Sequence, residues 1–322
     1  MRFYVMLCTL AAFFMLLIPA VVLIEPQKPS DDAPKAVQEY PDTVTVFLTD
    51  SEKAVTMDMD EYLVGAIAAE MPASYHPQAL MAQAAACHTY ALYRKNQEAQ
   101  SPSADLHGAD LSSEPQKHQG YLTKEERKNK WGDTFEANEK KIRAAVQAAG
   151  SEIMLYEGEP ICAAFFAISP GQTESALTAF GQSLPYLQSV ACDADVLSPD
   201  CERSVVYTDE EFRQAAESGL QIELPESAND WIGDIQTTDS GYVLTIRVGG
   251  TDVTGSAFRK AFSLRSPVFS ITRTDSGFRI VTKGYGHLVG MSQYGADAMA
   301  RSGADHKQIL RHFYKGITIS DG

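Results

Sequence analysis

The chain is poor in positive charge, with 27 Lys and Arg against 42 Asp and Glu and a formal net charge of -15. Such a surface repels phosphate backbones and anionic headgroups, so nucleic acid is excluded as a partner and peripheral lipid binding has no electrostatic drive. Cysteine is scarce, five residues with no Cys-x-x-Cys, which argues against a zinc ribbon or a thioredoxin-type site. There is no Gly-x-Ser-x-Gly elbow, and Cys87 and Cys162 have no His at informative spacing, so a nucleophilic hydrolase is unsupported. No repeat at solenoid spacing is present. Disorder is excluded by 44% hydrophobic residues over 322 positions, enough for one large or two modest domains.

The longest uncharged run, Phe3 to Ile24, sits at the amino terminus. A bilayer core needs about 20 apolar residues, and Ala20-Val-Val-Leu-Ile24 is a poor cleavage site, so residues 1–24 read as a transmembrane anchor. An uncleaved or late-cleaved signal is the alternative. Arg2 precedes the run and Glu25, Asp31 and Asp32 follow it, which places the remainder outside the cytoplasm. Residues 25–42, with prolines at 26, 29, 34 and 41, read as an extended linker.

Beyond the linker the pattern predicts an α+β fold. A strand at Val44–Leu48 leads to a helix over about 60–71, which Pro72 stops, because a residue before proline is pushed out of the helical region. Pro77 suits a first helical turn, and Gln78 to Asn96 is alanine-rich, so an αα-hairpin results. Residues 101–129 read as a polar loop or lid carrying His107 and His118. A helix over 136–149 and strands at 152–156 and 160–167 predict a mixed sheet. Short helices at 209–218 and 255–262 flank a hairpin over 233–248, and this stretch reads as an inserted α/β subdomain, 200–266. The catalytic domain is then 43–199 with 267–322, closed by a hairpin at 268–282 and helices at about 293–302 and 305–315. Cys192 and Cys201 share a polar loop. A bridge closing about ten residues would stabilise by ~2.5–3 kcal/mol, and two free thiols are the equal alternative.

Three segments carry candidate chemistry. Glu70, in Ala68-Ala-Glu-Met-Pro72, lies in the last turn of an apolar helix, where unpaired carbonyls disfavour a carboxylate by about 0.3–1 kcal/mol. Burial there raises proton affinity, as a general acid requires; a solvated Glu is the bland reading. Gly284-Tyr-Gly-His-Leu-Val-Gly-Met-Ser-Gln-Tyr-Gly295 precedes a helix capped by Ser292, and its free amides suit a polar group, with a tight turn and a core His287 as the alternative. Ala167-Ile-Ser-Pro-Gly-Gln-Thr-Glu-Ser-Ala176 combines hydroxyls and amides suited to sugars, or to an ordinary turn.

Glu61-Tyr-Leu-Val-Gly-Ala-Ile-Ala-Ala-Glu-Met-Pro72, His76-Pro-Gln-Ala-Leu-Met-Ala-Gln-Ala84 and Gly286-His287 with Val289-Gly-Met-Ser-Gln-Tyr-Gly-Ala296 occur in that order. Together with Leu264-Arg-Ser266 and the amino-terminal span, they resemble the stage II sporulation protein D family over residues 43–319. The resemblance implies a membrane-anchored peptidoglycan lytic transglycosylase, with its domain facing the space outside the mother-cell membrane. It would act during engulfment on glycan strands stripped of stem peptides, beside a sporulation cell-wall amidase and a membrane partner. Glu70 is the implied catalytic acid. His88, Gln119, Tyr121, Ser169, Gly171, Thr173, His287, Ser292 and Gln293 are the implied substrate contacts. No cofactor is implied. Some relatives hold zinc through Cys and His in the lid, but 110–119 contains no cysteine, and two histidines do not close a four-ligand site.

Two residues depart from the family pattern. His88 stands where Arg is usual, and a neutral imidazole lacks the fixed fork of a guanidinium. It lies roughly 17 Å along its helix from the hairpin turn. Leu288 replaces a glycine. These departures keep a second reading open, a non-catalytic glycan-binding module that recruits or activates an amidase; a hydrolytic muramidase is a third.

Overall fold

A computed structural model describes residues 40–115 and 117–321. The amino-terminal span and most of the 25–42 linker lie outside the described residues, among which no helix is long and apolar enough to cross a membrane. Strands β1 (Thr43–Leu48) and β2 (Lys53–Asp58) form an antiparallel hairpin that runs directly into helix α1 (Met59–Glu70). Helix α2 (Pro77–Gln100) follows, with Pro77 in its first turn and the His76 ring accepting the Gln78 N–H.

The two faces of α2 are buried in different cores. Leu80, Ala84, Cys87 and Ala91 pack with Tyr62, Leu63 and Ile67 of α1, whereas Ala79, Ala82, Ala85 and Ala86 pack with Met291, Phe313 and Tyr314. A helix covered on both sides needs side chains small enough for its neighbours to approach. The alanine run meets that requirement as well as favouring helix.

Residues 101–129 are more ordered than their polarity predicted. Strand β3 (Leu111–Ser112) joins β1 in parallel, and helix α3 (Lys124–Trp131) opens with a capping box between Thr123 and Glu126. Capping offsets a composition that has almost no apolar stripe. Helix α4 (Phe135–Ala149), strands β4 (Glu152–Tyr156), β5 (Glu159–Pro160) and β6 (Phe165–Phe166), and the one-turn helix α5 (Ala176–Phe180) come next.

The third core is aromatic. It joins β7 (Glu202–Thr208), α6 (Asp209–Ala215), β8 (Ile232–Thr237), β9 (Val243–Val248), β10 (Thr251–Thr254), α7 (Gly255–Ala261), β11 (Phe269–Thr274) and β12 (Gly277–Lys283) around Phe212, Trp231, Phe258, Phe262 and Phe278. Because β7 pairs with β12 from Glu202–Lys283 to Thr208–Gly277, this module is pinned at both ends. Strand β13 (Met291–Ser292), helices α8 (Gln293–Arg301) and α9 (His306–Phe313), and β14 (Thr318–Asp321) return to the second core. The fold is α+β. The single mixed sheet expected around 152–167 is instead divided, since β4 pairs with β5 and β14 while β6 pairs in parallel with β13.

Candidate active site

Helix α1 ends where the Met71 N–H bonds the Ile67 carbonyl at 2.9 Å and Pro72 forbids another turn. Glu70, its last residue, is half-buried, and its Oε1 accepts the backbone N–H of Gly120 at 2.6 Å. Burial pushes the carboxyl above its usual range, opposed by the Gly120 hydrogen bond and by the charge of Lys130. Only glycine fits at 120 without displacing Glu70, since an added Cβ would stand 2.9 Å from Oε1.

The chain on either side of Gly120 is fixed to α1. Gln119 Oε1 accepts the Tyr62 hydroxyl at 2.7 Å, while Gln119 Nε2 is buried with no partner among the described residues. Tyr121 stacks on Tyr62 with ring centroids 5.9 Å apart, over Gly65. An added Cβ at Gly65 would fall 2.2 Å from the Tyr121 ring and 2.7 Å from the Leu122 carbonyl, which explains the glycine inside an otherwise apolar helix string. Arg127 bonds the Leu122 carbonyl at 2.8 Å and is itself held by Glu61 and Glu139.

A buried amide chain joins the glycine-rich carboxyl-terminal motif to this region. Gln293 Nε2 reaches Gln83 Oε1 at 3.4 Å, and Gln83 Nε2 reaches Cys87 Sγ at 3.3 Å. The Cys87 thiol, pushed up by burial, also feels the charge of Glu70. Gln293 of the third string and Gln83 of the second are thus linked through Cys87 to the neighbourhood of Glu70 in the first.

The family model described as Stage II sporulation protein matches residues 49–156. Stage II sporulation protein D of Bacillus amyloliquefaciens is 35% identical over 290 residues, 90% of this chain and 82% of that protein. The Bacillus subtilis protein of the same name is 33% identical, covering 91% of this chain and 83% of its own. The chain belongs to the stage II sporulation protein D family. A distant relative, the Bacillus subtilis amidase enhancer, is 23% identical over 80% of this chain and 40% of its own length.

Other residues that the family resemblance singles out have different surroundings. His88 is buried against the backbone of Glu152 with Asp42 nearby, its Nδ1 without a partner among the described residues, and burial lowers its pKa to about 4. Its neighbour Cys87, not His88, is close enough to Glu70 to feel its charge. His287 lies between Phe166 and Phe180, accepts the Val289 N–H on Nδ1 at 3.1 Å, and is lowered to about 4 by burial and by Arg259.

Ser169, Thr173 and Ser292 are fully buried and bonded within the chain. Asp195 organises two of them, its Oδ2 accepting the Ser169 N–H at 2.6 Å and the Ser292 hydroxyl at 2.5 Å. Thr173 Oγ1 accepts the Val190 N–H at 2.9 Å. Gly171 has φ +117, a conformation that favours glycine, with Val196 3.3 Å from an added Cβ. These residues fasten the 168–173 turn to the 188–196 strap. Cys192 and Cys201 are buried free thiols beside that turn, Cys201 Sγ lying 3.7 Å from the Ser169 carbonyl.

In the lid, His107 packs on Phe47 at 4.9 Å and His118 Nδ1 accepts the Ser112 N–H at 3.2 Å. Among the described residues no group of three or more His, Cys, Asp or Glu is placed to hold a metal. Glu70 lines neither the cavity of about 480 Å³ between α3 and α4 nor that of about 240 Å³ between α8, α9 and the 191–194 strap. Sequence reasoning missed Gly65, Gly120, Gln83, Lys130 and Asp195. The first three had a signal, as a glycine or a buried-face amide within otherwise apolar or polar runs.

Proposed function

We propose that the chain is a membrane-anchored lytic transglycosylase that cleaves peptidoglycan strands lacking stem peptides during sporulation engulfment. The observation that carries this reading is the burial of Glu70 at a helix terminus, which favours its protonated form, against a Gly120 amide that stabilises the ionised one. A carboxyl with access to both forms acts first as acid and then as base. Glu70 gives its proton to the bridging oxygen as the glycosidic bond breaks. The sugar's own 6-hydroxyl then attacks C1 and returns its proton to Glu70, leaving a 1,6-anhydro end. Because that hydroxyl replaces both water and the second carboxylate of a hydrolytic glycosidase, one acid suffices. The buried Gln119 amide, with its free donor, is suited to a sugar oxygen.

In this reading residues 1–24 anchor the protein in the mother-cell membrane, 25–42 tether it, and 43–199 with 267–322 form the catalytic domain around an inserted 200–266, whose aromatic core is shared with the 269–283 hairpin. Of the further contacts that the resemblance implies, Tyr121, Gly171 and His287 keep partial exposure and could meet glycan, whereas His88, Ser169, Thr173, Ser292 and Gln293 are buried and would act by holding the site's shape. Partners are a cell-wall amidase and a membrane protein of the engulfment complex. The test is mass spectrometry of denuded strands treated with the full-length protein. Anhydro ends, abolished in Glu70→Gln, support the reading. Reducing ends would replace it with a muramidase.

A second reading is favoured by the amidase enhancer among the relatives: the chain holds glycan and stimulates an amidase without cutting. Glycan binding and amidase stimulation by the wild type, with no glycan cleavage and no change in Glu70→Gln, would establish it.

A further inference from the structure

Helix α3 is almost wholly charged, Lys-Glu-Glu-Arg-Lys-Asn-Lys-Trp, so its side chains are free to be spent on neighbours other than a core. Arg127 is spent on Glu61, Glu139 and Leu122. Three residues on, and therefore close to the same face, Lys130 reaches α1: its Nζ donates to the Ala68 carbonyl at 2.7 Å. Ala68 belongs to the last turn of α1, whose carbonyls have no partner farther along the helix. A cation there complements the helix dipole, and this one also stands close enough to Glu70 for each charge to act on the other.

The groups that face Glu70 from each packed element are few. From α1 itself comes the Tyr62 hydroxyl, from the 119–122 segment the Gly120 amide, from α2 the Cys87 thiol, and from α3 Lys130. Burial keeps both Tyr62 and Cys87 protonated and neutral. Lys130 is thus the cation that offsets ionisation of Glu70 among the described residues.

We propose that Lys130 is a positioning residue of this site: clamped to the Ala68 carbonyl, its ammonium holds the last turn of α1 beside the 119–122 segment and balances the carboxylate that Glu70 becomes between its two proton transfers. The inference rests on the acid–base role proposed for Glu70. Lys130 exchanges no proton with substrate. Without it, burial would make Glu70 a weaker acid, and donation of its proton to the bridging oxygen, the step that leaves the carboxylate behind, would slow.

The experiment compares full-length Lys130→Gln and Lys130→Arg with the wild type. Three readouts are taken: carboxyl titration of Glu70 by carbon-13 NMR, assigned against Glu70→Gln; the pH profile of anhydro-product formation; and the thermal unfolding midpoint. Lys130→Gln should move the Glu70 titration up by about one pH unit and its alkaline rate limb with it, with kcat falling more than KM changes. Lys130→Arg should restore both. If Lys130→Gln does not fold, Lys130→Met keeps the stem and removes the charge. A lowered unfolding midpoint with an unmoved Glu70 titration would reduce Lys130 to a helix cap and overturn the proposal. Should the wild type yield no anhydro ends, the enzymatic reading fails while the titration still reports on Lys130.

Discussion

The Gly120 amide donates to the Glu70 carboxylate at 2.6 Å, although fifty positions separate the two residues. That contact joins the end of α1 to the lid, and it is sensitive to a single methyl group. An Ala at 120 would put its Cβ 2.9 Å from Oε1 and 3.1 Å from the Ala69 Cβ. The carboxylate end of Glu70 is the part best able to move. Gly120→Ala should therefore fold, at a cost of about 1 kcal/mol, and lose activity by roughly 10–100-fold because the acid is displaced. Wild-type turnover by the folded variant would show that the contact does not position the acid.

His88 and His287 make the stability depend on pH. Both are lowered from 6.5 to about 4 by burial, so each stays neutral in the fold while taking up a proton in the unfolded chain. The unfolded state then binds more protons between about pH 6.5 and 4, and stability falls as pH drops through that window. Each ring contributes at most about 3 kcal/mol. Glu70 and Asp195, pushed up by burial, act in the opposite sense. Urea midpoints at pH 7 and pH 5 should differ less in His88→Gln than in the wild type. Equal pH dependence in the two proteins would mean that His88 is protonated in the fold.

Arg127 is fully buried, 0% exposed, and its partners come from three places: Glu61 on α1, Glu139 on α4 and the Leu122 carbonyl. Arg127→Ala takes one of two guanidinium partners from the buried Glu139, which keeps Arg143 on Oε1 at 2.7 Å, and frees the end of the lid. Removing one member of such a pair costs about 3–5 kcal/mol. In chemical denaturation the loss should shrink when Glu139→Gln is added, since the buried carboxylate that had lost one of its two guanidinium partners is then gone. A double variant that loses the full sum of the single effects would contradict a coupled network.

The α1–α2 hairpin was legible because local chemistry sets it: Pro72 ends one helix, Pro77 starts the next, and alanine fills the space between two cores. Glu70 was legible as an awkwardly placed carboxylate, and its neighbours came from the three strings. What escaped was set by distant contacts. Helix α3 shows no apolar period and is announced only by Thr123 and Glu126. Asp195, which ties Ser169 to Ser292, sits in a short 3-10 turn whose sequence, Asp-Ala-Asp-Val-Leu, has nothing to distinguish it from a solvated loop. The Gln83–Gln293 contact spans 210 positions, so each glutamine alone reads as an ordinary polar residue.

The same burial that suits Glu70 to acid chemistry should weaken the fold. Its carboxyl is harder to ionise in the native protein than in the unfolded chain, so at neutral pH the native state bears a cost that disappears once both forms are protonated. Glu70→Gln removes that cost and keeps an oxygen for the Gly120 N–H. The variant should therefore be inactive and more stable, by about 1 kcal/mol at pH 7, with the gain shrinking toward pH 4. Thermal unfolding across that range measures it directly. A constant difference at every pH would assign the effect to packing, and a less stable Glu70→Gln at pH 7 would mean that the native site favours the carboxylate, removing the acid on which the proposed reaction depends.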